Sequence, residues 1–394
     1  MRRFTGRTVA VVGAAHSRIE RRSSMSLGAL TVRTVLEAIA DAGLTVADVD
    51  GLTTGSHLPS SGGQAIVDGE TVVTSNWLAE HLGIHPRFVS GFQGRGQLSG
   101  SVQLAAGMVA SGLADTVVVH RAMANPPGSY NDNAMTVAHG DDQWRAPFGF
   151  WGAPIQIAML WSEYVQRYKA DPDVLAAVAV EARRNGSQLP WSYWYGKPLS
   201  REEYLASPTI AGTIRKHDCD IPVDGVGAFV LTTGERARDL PHKPVYVAGF
   251  GQGGLRKPGE LWSLDQVLDG GRETAAMLWE SSGLRLEDID VPQIYDGFAP
   301  ISLFWLESLG WCGRGEAAAF VADGGIGPDA PLPFLSGGGA LGNGRMHGVP
   351  QMLEVYRQLS GRAGERQLAK ATAGIACHAY PHFGGVVAYT TEPL

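Results

Sequence analysis

A tyrosine and an aspartate stand side by side in Tyr295-Asp296-Gly297-Phe298, at the end of a strand-like run that begins at Val291. Both are groups that can hold or pass a proton. Further on, Gly337-Gly338-Gly339-Ala340-Leu341-Gly342-Asn343-Gly344-Arg345-Met346-His347-Gly348 interleaves glycines with a cation and an imidazole. Glycines let backbone approach a ligand closely, and Arg345 or His347 supplies a donor for a developing oxyanion. A third group, Cys377-His378-Ala379-Tyr380-Pro381-His382, lies near the C-terminus. Its thiol and imidazoles suggest acid–base work or a pocket lining. Cys377, His378 and His382 do not read as a zinc site, because ligands spread across a strand end converge poorly and no fourth is evident.

The turn Gly94-Arg95-Gly96-Gln97-Leu98-Ser99-Gly100 opens a helix that runs through Ala110. Its glycine spacing does not match a dinucleotide fingerprint, so the turn reads as tight backbone without a phosphate. No cysteine precedes Cys219. The chain before residue 219, this turn included, therefore has no thiolate to offer.

These groups are positioned by a unit that occurs twice. Val9–Gly13 is an apolar run followed by a helical pattern, Gly43-Leu44 and Asp48-Val49-Asp50; Val245–Gly249 opens the same order, with Gly283-Leu284 and Asp288-Ile289-Asp290. The run Thr116–Val119 ending at His120 corresponds to the run ending at Cys377-His378, which makes His120 the counterpart of His378. Phe229–Thr233 corresponds to Val387–Thr391. Continuous apolar strands alternating with helices predict an α/β protein whose sheets are covered on both faces. The expected halves are residues 1–240 and 241–394. The first carries an extra helical segment at about 124–205 that includes Trp144, Trp151, Trp161, Trp191 and Trp194. Those tryptophans read as a lid or tunnel wall, or as subunit packing.

Composition removes several classes. Lys and Arg number 32 against 39 Asp and Glu, for a net charge of −7, and no basic block occurs, so nucleic acid is not the expected partner. No 18-residue apolar run and no apolar core after Met1-Arg2-Arg3 predict neither a membrane span nor a leader, and the expected location is the cytoplasm. Three widely spaced cysteines fit reduced thiols. Glycine at 52 of 394 residues, well above the usual ~7%, matches tight strand–helix turns.

The paired Gly-Leu-x-x-x-Asp-x-Asp elements, Asp224-Gly225-Val226-Gly227-Ala228, Tyr295-Asp296-Gly297-Phe298 and the Gly337–His347 loop resemble the thiolase superfamily over essentially the whole chain. The likeness is to its sterol-carrier-protein-X and lipid-transfer-protein branch, the steroid side-chain aldolase type. It implies a five-layered αβαβα duplicated fold with the Trp-rich insertion in the first half. In thiolases the helix after the Gly94–Gly100 turn presents a nucleophilic cysteine; here Arg95 takes that position, so an acyl-enzyme is not expected. Thiolases place a histidine on the Gly-rich loop; Arg345 aligns with it and His347 follows. The resemblance implies that Tyr295 carries a proton, Asp296 orients it, and Arg345 or His347 holds an enolate. Arg95, Gly338, Gly339, His120, His378, His382 and Cys377 would line the substrate site. The implied reaction is retro-aldol cleavage of a β-hydroxyacyl-coenzyme A, such as one bearing a sterol side chain, without a cofactor or metal. The alternatives are a cysteine-independent acyltransferase or Claisen-type enzyme, and a non-catalytic scaffold or lipid-binding subunit. A homodimer working with a small zinc-ribbon/OB-fold protein that binds acyl-coenzyme A is the implied assembly.

Overall fold

The computed structural model describes residues 6–55, 65–92, 98–125, 142–150, 152–254, 262–327 and 330–394. The chain opens with β1 (Val9–His16), α1 (Leu27–Asp41), β2 (Gly51–Gly55), α2 (Ser75–Leu82), β3 (Phe88–Phe92), α3 (Leu98–Ser111) and β4 (Thr116–Met123). The extra segment contributes α4 (Asp142–Arg145), α5 (Ala153–Tyr168), α6 (Leu175–Gly186), α7 (Arg201–Leu205) and the small hairpin β5 (Thr209–Ala211) and β6 (Ile214–Arg215). The chain then returns through β7 (Gly225–Thr233) and α8 (Gly234–Ala237). The remainder is β8 (Val245–Gln252), α9 (Leu264–Ser282), β9 (Val291–Gln293), α10 (Ala299–Leu309), α11 (Ala317–Ala322), α12 (Val349–Leu359), β10 (Ala373–His378) and β11 (Gly385–Thr390).

Nine strands are ordered β3-β2-β4-β7-β1-β8-β11-β10-β9. The first five and last four are two twisted sheets joined at a narrow seam, where β1 meets β8 only at Ala10–Tyr246 and Val11–Val245. Between them lies a helical layer. Leu98, Val102 and Val109 of α3 pack with Val349, Met352, Leu353 and Tyr356 of α12, against strand residues from both sheets. Helices α1 and α2 cover the outer face of the first sheet, and α9 and α10 cover that of the second. The result is the αβαβα layering expected from the sequence.

Strand alternation decides which side chains enter the middle layer. On β4, Val117 and Val119 face it, whereas Val118 faces outward. Arg121 shares the inward parity and His120 the outward one. The register of β4 with β7 pairs Arg121 with Gly227, and that of β10 with β11 pairs His378 with Gly385. Gly227 and Gly385 are corresponding positions in the closing strands. The structural counterpart of His378 is therefore Arg121, one residue beyond the His120 expected from sequence. A one-residue slip in register reverses every side chain.

Three tryptophans of the extra segment are tied into the chain's own packing. Trp161 is fully buried in a cluster shared with α9 and α10, and its neighbour Tyr164 donates to Glu307 at 2.6 Å. Trp191 lies 4.3 Å beneath the Arg357 guanidinium, and Trp194 lies 3.5 Å beneath that of Arg183. Trp144 is exposed, and Trp151 lies outside the described residues. Among the described residues, no helix is long and apolar enough to cross a membrane.

Candidate active site

The site forms where β2, β4, β9 and β10 end and the 337–348 loop crosses above them. Tyr295 follows β9 and is 5% exposed. Gly297 makes room for it: a β-carbon there would stand 2.7 Å from the Tyr295 hydroxyl. Among the described residues no hydrogen-bond partner engages that hydroxyl, which leaves it available to a substrate. Burial raises the phenol's pKa well above its ordinary value, with Asp220 adding to the rise and Arg345 opposing it. At rest Tyr295 is a neutral phenol, because the cost of burying a phenolate outweighs the pull of Arg345.

Asp296 does not turn toward its neighbour. Its Oδ1 accepts from the Ala340 N–H at 2.6 Å and from Gln351 Nε2 at 2.9 Å, and its Oδ2 accepts from the Leu341 N–H at 2.9 Å. Burial pushes this carboxyl up to about 7 while the two backbone donors pull it down. Asp296 is the anchor of the Gly-rich loop. The close approaches of Gly338 and Gly339 are likewise internal. A β-carbon on Gly338 would meet Gly186 Cα at 2.7 Å, and one on Gly339 would meet Asp296 Oδ2 at 2.3 Å. Both have positive φ, +79° and +57°, a region glycine enters without penalty.

The extra segment backs the loop from the other side. A β-carbon on Gly186, at the end of α6, would stand 1.8 Å from the Gly342 carbonyl oxygen. Ser192 donates to that same carbonyl at 2.7 Å, and Asn185 donates to the Leu335 carbonyl at 3.0 Å. Within the loop, Asn343 donates to the Gly337 and Gly339 carbonyls.

Arg345 is 8% exposed, and its Nε and Nη2 contact Asp220 Oδ1 at 2.8 and 2.6 Å. Held in this buried pair, it shapes the field around Tyr295. Asp220 is fixed in turn by its own N–H, which donates to the Gly297 carbonyl at 3.1 Å. Asp220 was not singled out from sequence. The acidic string Asp218-Cys219-Asp220 just before the closing strand was the available signal.

His347 occupies a left-handed conformation, φ +48°, which costs a non-glycine residue ~1 kcal/mol or more. Arg121 Nη2 lies 2.9 Å from its Nδ1, and Arg121 Nη1 donates to the Gly55 carbonyl at 3.1 Å. Burial and the cations Arg121 and Arg345 hold the His347 pKa well below its ordinary value. Arg121 also faces Tyr295 electrostatically, so Tyr295, Asp220, Arg345, Arg121 and His347 form one buried cluster. Arg121 follows directly on His120, and the strand register decides that it, and not His120, enters the site.

His378 contacts the next step of the same loop, its Nε2 at 3.2 Å from the Gly348 carbonyl oxygen. Burial pulls its pKa down to about 3. Cys377 points to the opposite face of β10 from His378. It is buried beside the Tyr295 backbone, and burial raises its thiol pKa well above the usual value. That opposition keeps Cys377 and His378 from sharing a ligand. His382 packs edge-on against Trp262, ring centroids 4.5 Å apart. His120 places Nε2 at 3.0 Å from the Val73 carbonyl oxygen, toward the outer layer and away from the cluster. Arg95 lies outside the described residues.

Residues 263–388 match the family model for a thiolase C-terminal domain-like region. The 17-hydroxy-3-oxo-4-pregnene-20-carboxyl-CoA lyase of Mycobacterium tuberculosis is 35% identical over 369 residues, covering 89% of this chain and 91% of that one. A steroid side-chain-cleaving aldolase of Thermomonospora curvata is 34% identical over 364 residues, covering 89% and 90%. The solved Ltp2-ChsH2(DUF35) aldolase superposes with a TM-score of 0.82 at 30% identity, covering 97% of each chain.

Proposed function

The chain belongs to the thiolase superfamily, in its steroid side-chain-cleaving aldolase branch, and on that premise we propose that it cleaves a β-hydroxyacyl-coenzyme A by retro-aldol reaction. The observation that carries this reading is the hydroxyl of the buried Tyr295, which has no partner among the described residues and sits beside a fully positioned polar cluster. As the Cα–Cβ bond breaks, its electron pair passes to the thioester as an enolate and the β-hydroxyl oxygen becomes a carbonyl. The hydroxyl proton must leave and Cα must gain one. Tyr295 serves both needs as a relay: it accepts the hydroxyl proton and passes its own to Cα. No free phenolate is required, which agrees with its raised pKa. Arg345, fixed by Asp220, supplies positive potential, and His347 faces the enolate oxygen.

The reaction written this way uses no covalent acyl-enzyme, metal or cofactor. The substrates we assign are coenzyme A thioesters with a bulky hydroxylated side chain, of the steroid kind named for the relatives. We also assign a DUF35-type partner, as in the solved relative, around a homodimeric core. Product analysis tests the reading. The full chain, supplied with such a partner and a 17-hydroxy-20-carboxyl steroid thioester, is expected to release a ketone and a shortened acyl-coenzyme A in equal amounts. Acyl transfer that depends on an added acceptor, with no ketone, would overturn it.

A further inference from the structure

The second nitrogen of His347 carries an assignment that follows from its contact with Arg121. A guanidinium has five N–H groups and no acceptor. The 2.9 Å contact between Arg121 Nη2 and His347 Nδ1 is therefore a hydrogen bond only if Nδ1 presents its lone pair. A neutral imidazole so arranged keeps its single proton on Nε2. An imidazolium would set N–H against N–H, beside a second cation at Arg345. We infer that Arg121 is a positioning residue that fixes His347 as the Nε2–H tautomer, a neutral donor to the enolate oxygen.

Three further observations support the assignment. Arg121 is itself anchored, donating to the Gly55 carbonyl at the end of β2 and lying in register with Gly227 of β7. Burial lowers the guanidinium pKa only to about 10, so it stays charged near neutrality. The left-handed backbone at His347, followed by Gly348 at φ +99°, limits the ring to the direction the loop imposes. A neutral imidazole cannot act as a strong acid, and its basic nitrogen is already occupied. What remains is hydrogen-bond donation from Nε2, strengthened by the cation on Nδ1. A neutral imidazole used as an electrophile is an established catalytic pattern in other folds.

This inference rests on the lyase reading, and its test separates the two. In the full chain, with partner, labelled with 15N-histidine and assigned with His347→Gln, His347 should show a protonated Nε2 and a bare Nδ1. That pattern should hold from about pH 6 to about pH 8.5, where free histidines titrate. Arg121→Leu should mix the tautomers and lower kcat about 10- to 100-fold with KM nearly unchanged. Arg121→Lys should restore part of kcat. A protonated Nδ1 in the wild-type protein, an imidazolium appearing near pH 6.5, or an Arg121→Leu variant with full kcat would overturn the proposal. If Arg121→Leu does not fold, the wild-type spectrum and Arg121→Lys decide. A wild-type protein with the Nε2–H pattern but no carbon–carbon cleavage removes the lyase reading and leaves the tautomer standing.

Discussion

The ends of β4 and β10 are the same position in two copies of one unit, and each holds the loop at a neighbouring residue. From the first half, Arg121 donates to the side chain of His347; from the second, His378 contacts the backbone carbonyl of Gly348. One clamp is a permanent cation and the other a neutral imidazole. The first sets a protonation state, whereas the second only holds backbone. The difference shows how a duplicated fold divides its labour. The second half brings the reacting groups Tyr295 and His347, and the first half contributes charge through Arg121 and, with Asp220, the field around them.

The clamp fails most completely at Gly348. A β-carbon there would stand 1.8 Å from His378 Cδ2, on backbone of positive φ. Gly348→Ala should cost ~3 kcal/mol or more and abolish activity, read as a lowered thermal midpoint together with lost turnover. A Gly348→Ala protein of wild-type stability would show that the two strand ends do not converge on this step.

The neutral clamp makes a pH-dependent contribution. The His378 pKa is about 3 in the fold and ~6.5 in the unfolded chain, so between these values the unfolded chain binds more protons. Stability from this residue is complete above pH ~6.5 and is lost as pH falls, by about 2 kcal/mol between pH 6.5 and pH 5. His16, lowered to about 4, and His347 act in the same direction. His378→Gln keeps a donor for the Gly348 carbonyl without titrating. Its urea midpoint should fall less steeply on acidification than that of the wild type, and an unchanged slope would contradict the assignment.

The smallest effect is expected one residue before Arg121. His120 faces the outer layer, so His120→Gln should change stability by about 1 kcal/mol and kcat by less than about threefold. A large loss of kcat in this variant, with stability kept, would return His120 to the site and break the facing argument.

The layered fold was legible because alternating strands and helices repeat with matching Gly-Leu and Asp-x-Asp elements. Tyr295 and the 337–348 loop were legible because polar groups at strand ends and clustered glycines rarely serve a core. What was not legible depends on register and on contacts distant in sequence. Choosing between His120 and Arg121 needs the pairing of β4 with β7, which apolar content alone does not specify. Asp220 meets Arg345 across 125 positions of sequence, and Asp296 reaches over to Ala340 and Leu341, so neither partner is visible from local pattern. Gly186 is one glycine among many until its approach to Gly342 is seen.

The central claim is that Tyr295 moves the proton of a carbon–carbon cleavage. Tyr295→Phe, assayed with the partner protein on a β-hydroxyacyl-coenzyme A steroid, measures it directly. Because the hydroxyl has no partner to lose among the described residues, the thermal midpoint should stay within a few degrees while kcat falls about 10²- to 10⁴-fold. A variant that folds normally and releases ketone at the wild-type rate would contradict the account.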